Sequence, residues 1–561
     1  MKKRWTAGQT GITIFAAALL FLLTGYILYP TFSTVRQSFA GDAGYSWAGY
    51  VHYFLLPQNR AVIRNTLMVG LLGVLTCGAV GIFLAVYMRF FCRRFRRLIQ
   101  ILLLMPVMIP GVIIVIAFIQ LYGETGMITK LLTLLPWVKN PPYTFDGLGG
   151  VVFVLAYTQY VYFYLNVYTA LQYVDKNVVE SVLGFGGGVF AVARDVVFPV
   201  IRPAVLISIM TTFLSAVSAY SAPSLIGNGL RVLSTQIVKA KANYNMPLAS
   251  IQVTILLLMG TVITALFYSL SRKYSWEVST RTEYFQFVSR RRKWLGRAFH
   301  LITVIQLVLI VLPVASVVYL SFVSTKSIMM DVFPHFFTLE NYQAIFRSPR
   351  VLQPMLNSLQ MSLLAVAIGL ALTLPAAYLG RRSKNRLLHS AEALLMLPWC
   401  IPASVIAINL INVFNVPSIF AFGKPLIGTF IILPIAYAIT ALPLLLNAGR
   451  IALGGVSAGT EEASRSLGAG SMTTFVRIVL PALAPGVISG SILVFVRTMG
   501  EYTMSALLYG VYNRPVSVSV VTNMQEYHIG ISMAYGALIV LLCCGLMWPL
   551  LKLDRSRFAV E

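Results

Sequence analysis

At 561 residues, 58% hydrophobic and 11% charged, the chain has too few polar residues for a soluble enzyme of its size and the composition of a protein whose solvent is the bilayer. The formal net charge of +26 would suit nucleic acid in a soluble protein, but the basic residues fall in loops between long apolar runs, so membrane lipid is the expected partner and nucleic acid is not. Five cysteines, at 77, 92, 400, 543 and 544, sit mostly inside apolar runs without pairing or metal-ligand spacing, which argues against a disulfide framework and leaves no metal site to assign.

The first apolar run, 12–29, follows Met1-Lys2-Lys3-Arg4, a layout shared with secretory signals. It is longer than an ordinary signal core, no clear A-x-A site follows it, and five more spans come after it in the same half, so a retained first helix is predicted. Those spans are 66–88, 98–121, 150–171, 204–226 and 248–270. The second half repeats the set at 298–322, 358–379, 391–414, 428–448, 486–508 and 532–551, giving twelve helices, six and six. The fold class is therefore an all-α polytopic membrane protein. With both termini placed inside, the inner segments hold 29 Lys and Arg and the outer loops 13, while Arg497 lies within a span. The basic clusters 89–97, 289–294 and 380–386 read as topology determinants and contacts for anionic lipid. The polar, basic stretch 272–297 reads as a cytoplasmic linker between two repeats, 1–271 and 298–561. The long outer loops 31–64 and 323–356 follow the first helix of each half and are either contacts for an extracytoplasmic partner or spacer.

Internal similarity supports the duplication. Asn65-Thr66-Leu67 answers Asn357-Ser358-Leu359, and LMPVMIP (104–110) answers MLPWCIP (396–402), both 292 residues apart. Further on the offset is 282: Glu180, Gly186, Val196, Phe198-Pro199 and Pro203 answer Glu462, Gly468, Ile478, Leu480-Pro481 and Pro485. The change predicts about ten extra residues in the outer loop 122–149. The paired prolines predict kinked helices in matched positions, a pointer to a translocation path or to packing alone.

The stretch 461–485, EEASRSLGAGSMTTFVRIVLPALAP, carries Glu462-Ala463-Ser464, Gly468, Ile478 and Leu480-Pro481 in the pattern E-A-A-x-x-x-G-x9-I-x-L-P. That spacing resembles the cytoplasmic loop of ABC-importer permeases, and the copy around Glu180, Gly186 and Pro199 resembles it in degraded form, with Ser181-Val182 in place of two alanines. The resemblance implies the type I importer permease fold, with coupling loops 175–203 and 457–485 that fold as two short helices and dock on a separate ATPase subunit in two copies. Glu462 would stand at a helix start, where the macrodipole favours an anion. Gly468 would supply the turn, and Pro481 would break the helix where the next span begins. The fused format is similar to ferric-iron permeases and secondarily to thiamine and phosphonate permeases. It implies a bacterial inner membrane location, a periplasmic or lipoprotein substrate-binding protein, and ATP used by the partner, with no cofactor held by this chain.

Within the spans, Arg497 and Glu501 are four residues apart on one helix and so share a face, either as an internal ion pair or as a path or gate. An acidic residue facing the path would suit a cation such as iron, but also thiamine or a polyamine. Tyr157, Tyr160, Tyr164 and Tyr168 form one helical stripe, read as path-lining phenols or as packing. Asn166, Asn409, Asn412 and Asn447 are further polar candidates. No G-x-x-x-x-G-K-[ST], H-E-x-x-H, Cys–His cluster or Ser–His–Asp hint is present, so a conduit rather than an enzyme is expected, with energy supplied by another chain. The competing classes are an ion-gradient-driven secondary transporter, which would not need matched Glu–Gly–Pro loops, and a membrane enzyme or scaffold, which would need a catalytic constellation.

Overall fold

In lipid every backbone polar group must be satisfied within the protein, and apolar runs of this length do so as helices. The computed structural model describes residues 7–41, 44–92, 94–138, 140–273 and 293–553. The basic start at 2–4, most of the 272–297 linker with its cluster 289–292, Arg93 and the tail 554–561 lie outside the described residues. Eleven helices are long and apolar enough to cross a membrane, and a twelfth span is formed by the pair Arg386–Cys400 and Ala403–Phe414, bent by 113°. In order the first-half spans are Thr10–Ser38, Pro57–Phe91, Gly111–Thr133, Gly147–Leu171, Phe190–Ser218 and Met246–Ser271. The second-half spans are Gly296–Ser321, Pro349–Arg382, the bent pair as the ninth, Ile432–Gly454, Phe475–Met499 and Ile529–Met547. The chain is an all-α polytopic membrane protein.

The paired proline segments do more than kink. Arg96–Leu104 ends in a 3₁₀ turn, Met105–Met108, and the chain restarts at Gly111 with Pro110 as N-cap. The ninth span repeats this through Leu397–Cys400 and Pro402. The expected bounds of two spans are corrected at both ends. The fifth and eleventh spans begin earlier than 204 and 486 and end at Ser218 and Met499, because the backbone turns extended at Ala219 (ψ 129°) and leaves the helix at Gly500. The remaining apolar residues form short separate helices, Ser221–Ile226 and Thr503–Leu508. Pro481 does not break the helix either. The five residues before it wind as a π turn, Phe475–Val479, with the Leu480 N–H donating to the Phe475 carbonyl, and Pro481 then falls in the first turn of Leu480–Met499, where its missing donor costs nothing. Pro199 follows the equivalent turn Ala193–Val197.

The ten extra residues lie between Tyr122 and Gly147 and contribute a helix, Met127–Thr133. Its Lys130 ammonium donates to the carbonyls of Ile328 (3.3 Å), Met329 (3.1 Å) and Asp331 (2.9 Å), capping the C-terminal end of Thr325–Met330 in the outer loop of the second half. The segment after the first span of each half carries a helix at a matched position, Ala48–Leu55 and Glu340–Arg347.

The halves are interlocked. The first span packs on the ninth, where Asn385 donates to Thr13 (2.9 Å), Asn409 to Thr31 (2.9 Å) and Asn412 to Thr34 (3.1 Å) and Ser250 (3.2 Å). The seventh packs on the broken third and on the second, where the Tyr87 hydroxyl and His300 Nδ1 lie 2.8 Å apart. Small residues let helices approach: a Cβ on Gly81 would lie 2.5 Å from Phe163, and one on Gly490 2.5 Å from Ala448.

Candidate functional site

Each Glu–Gly loop folds as a helix, a left-handed glycine and a second helix that runs on into a span. In the first half Lys176–Gly184 is capped by Asp175, whose carboxylate accepts from the Asn177 N–H (2.9 Å), and Gly186 turns the chain at φ +82°. In the second, Ala458–Ser466 leads to Gly468 at φ +84° and then Ser471–Thr474. Those φ values fall where only glycine is unstrained. Glu180 and Glu462 are both exposed, as are Ala463, Leu480 and Pro481, while Ile478 and Pro199 are half-buried. Glu180 lies 3.9 Å from Lys176 on its own helix. The residue before each glycine is an apolar side chain left in the open, Phe185 at 94% exposure and Leu467 at 89%.

Beneath the second loop lies a charge network. The buried Glu461 carboxylate pairs with Arg382 at the end of the eighth span, and the Arg382 guanidinium also sits 4.2 Å over the Tyr378 ring. Glu392, also buried, is held by Arg450 and His389, each at 3.3 Å. The Ser464 and Thr474 hydroxyls, 3.0 Å apart, tie the two short helices together. In each half an arginine ending the second span caps the last carbonyls of the fourth: Arg89 donates to Leu171 (3.1 Å), and Arg381 donates to Leu453 and to Val456 (3.1 Å). The four residues Arg89, Arg381, Leu171 and Leu453 obey the 292 and 282 offsets, and aligning the halves fully would have found them. Sequence reasoning treated both arginines as topology charges.

Glu501 and Arg497 do not share a helix face, because the helix ends between them. The Glu501 carboxylate turns onto the start of Thr503–Leu508, accepting from the Met504 N–H (3.0 and 2.9 Å), the Ser505 N–H (3.0 Å) and the Ser505 hydroxyl (3.3 Å). Arg497 is exposed, and among the described residues no ion pair joins it to Glu501. Immediately after Glu501, the Tyr502 ring stacks on Tyr220 of the other half, centroids 5.3 Å apart at 27°. The tyrosine stripe is buried as one face, and two of its four hydroxyls go to backbone. Tyr157 donates to the Ile310 carbonyl (2.7 Å) on the seventh span, and Tyr160 to the Leu103 carbonyl (2.5 Å) at the third-span break. Tyr164 is fully buried and stacks on Tyr168, whose hydroxyl accepts from Arg96 (2.6 Å). Asn166 donates to Ser208 (3.0 Å), and Asn447 is half-buried on the tenth span. Among the described residues no group of three or more His, Cys, Asp or Glu is placed to hold a metal.

The family model for the binding-protein-dependent transport system inner membrane component matches the chain twice, at residues 78–275 and 365–556. A relative in Sinorhizobium fredii, named as a probable ABC transporter permease protein, is 29% identical over 86% of this chain and 85% of its own length. A ferric transport system permease protein of Actinobacillus pleuropneumoniae is 22% identical over 94% of this chain and 76% of its own. A molybdenum transport system permease protein of Escherichia coli is 44% identical over 12% of this chain and 30% of its own.

Proposed function

The chain belongs to the binding-protein-dependent transport system inner membrane component family, and on that premise we propose that it is the complete translocation unit of an ATP-driven importer, in which 1–271 and 298–561 act as the two permease repeats. Both termini and the loops 175–203 and 457–485 face the cytoplasm, where two copies of a separate ATPase subunit dock and supply the energy. The observation that carries this reading is the matched pair of loops, each a helix, a left-handed glycine and a second helix continuous with a span, with an exposed apolar residue at its tip. Phe185 and Leu467 are apolar anchors of the kind that fill a partner's groove. An extracytoplasmic binding protein delivers the cargo to the face carrying the outer loops.

The fused format shared with ferric permeases, matched over 76% of their own length, favours ferric iron as cargo. A second reading, an oxyanion, is favoured by the charge available in the eleventh span. Glu501 spends its carboxylate on a helix start, whereas Arg497 stays exposed within an apolar span, where a charge is retained facing water or a partner. Uptake of radiolabelled ferric iron, and in parallel of molybdate, is measured in starved cells carrying wild type or Glu180→Ala with Glu462→Ala. Iron uptake lost in the double variant at normal protein level supports the iron reading. Loss confined to molybdate moves the cargo to oxyanions, and unchanged uptake of both overturns the two cargo readings.

A further inference from the structure

We infer that Tyr220 and Tyr502 are the two leaves of one gate that seals the route between the halves, an inference that rests on the conduit reading above. The residues are 282 apart, the offset of the repeat in this region, so each is the other's counterpart and their contact lies on the axis relating the two halves. They meet face to face, centroids 5.3 Å apart at 27°. Each stands as the N-cap of a short helix, Ser221–Ile226 or Thr503–Leu508, directly after the joint where the fifth or eleventh span ends. Those joints are fixed from behind. Glu501 caps the second short helix, the Ser517 hydroxyl donates to the Glu501 carbonyl (2.6 Å), and the Ser234 hydroxyl donates to the Ala219 carbonyl (2.6 Å). Gly500 lies so close to the broken third span that a Cβ there would run into Pro110. Each ring is thus held by its own half, and the eleventh-span joint also rests on the break of the opposite half.

A ring stack on the axis has the properties a gate needs. It closes the gap with apolar surface that excludes water, and it parts without breaking a covalent or ionic bond when the halves rotate in opposite senses. Arg497 is exposed about one turn before the joint, a charge where a wet path would meet the seal.

The test uses the full chain in liposomes loaded with potassium chloride and reads passive potassium release with an electrode. It needs no ATPase, binding protein or cargo, so it can fail while the importer reading stands, and the uptake assay can fail while the gate stands. With Tyr220→Ala and Tyr502→Ala together, release is expected to rise about tenfold or more, and with Tyr220→Phe and Tyr502→Phe together to stay within about twofold of wild type. An alanine pair as tight as wild type at equal incorporation, or a phenylalanine pair as leaky as the alanine pair, overturns the proposal. Because the alanine pair could be misfolded, Tyr220→Cys with Tyr502→Cys is made in a chain whose five native cysteines are replaced. Bridging the two thiols with a short bifunctional reagent is expected to hold the halves together after cleavage at a protease site placed in 272–297, and to restore the seal. Halves that separate, or a bridged chain that leaks as before, also overturn it.

Discussion

Val179 and Phe90 in the first half hold the places that Glu461 and Arg382 hold in the second, and Gln100 and Tyr168 those of Glu392 and Arg450. The ground beneath one loop is aliphatic and aromatic with a single amide, and beneath the other two buried carboxylates are met by cations that reach them from the exposed side. The backbone above is nevertheless the same, down to the left-handed glycines at φ +82° and +84° and the π turns before Pro199 and Pro481. The two chemistries support one shape. This is understandable, because a buried ion pair and a well-packed apolar pair of similar volume differ little in net stability, whereas half of an ion pair is costly.

The largest expected effect breaks that equivalence from one side. Glu461→Ala removes the buried carboxylate from a pair whose guanidinium is exposed and still stacks on Tyr378, and should lower stability by about 1–2 kcal/mol, read as the midpoint of thermal unfolding in detergent. Val179→Ala should cost about 1–2 kcal/mol through lost apolar burial. Installing the first-half pair in the second, Arg382→Phe with Glu461→Val, should return to within about 1 kcal/mol of wild type. If this double variant is as unstable as Glu461→Ala, the two chemistries are not interchangeable.

A smaller effect asks whether the shared shape is used equally. Nothing lies within 4 Å of a Cβ built on Gly186 or Gly468, so Gly186→Val and Gly468→Val strain only the backbone, by about 1–2 kcal/mol each. ATP-driven uptake should fall severalfold in both and further at Gly468, where the family pattern is fuller. Equal uptake in the Gly468 variant and wild type at matched protein level would remove the loop from coupling. The smallest effect on stability belongs to the exposed carboxylates. Glu462→Ala and Glu180→Ala should each change unfolding by less than about 0.5 kcal/mol, while ATPase co-purification weakens more for Glu462→Ala. A larger loss with Glu180→Ala would reverse the assignment of the stronger contact.

The spans, the duplication, the extra residues before Gly147 and the helix–glycine–helix loops were legible because each rests on local pattern: apolar length, fixed offset, a glycine at a turn. Where helices stop was not legible. Apolar residues resume beyond both joints, in Ser221–Ile226 and Thr503–Leu508, and the turn at Ala219 is a backbone event that apolarity does not register. For that reason the four-residue spacing of Arg497 and Glu501 looked like a shared face, and the carboxylate that suggested a cation path caps a helix instead. The four tyrosines do form one stripe on a helix, and the stripe is buried. Its hydroxyl partners, the Ile310 and Leu103 carbonyls, lie on other helices and could not be read from the stripe itself. The partnership of Arg382 with Glu461 was hidden similarly, since it needs the end of the eighth span folded against a helix that begins at Ala458.

The interlocking of the first span with the ninth also constrains how the molecule is made. The partner of Thr31 is 378 residues further along the chain, which at ribosomal speeds is about 20–75 s of synthesis. Throughout that interval the first helix sits in the bilayer with Thr13, Thr31 and Thr34 lacking the amide donors they meet in the finished protein. Assembly is therefore ordered in time: the first six spans are inserted as an open set, and the Asn385, Asn409 and Asn412 side chains close it only when the ninth arrives.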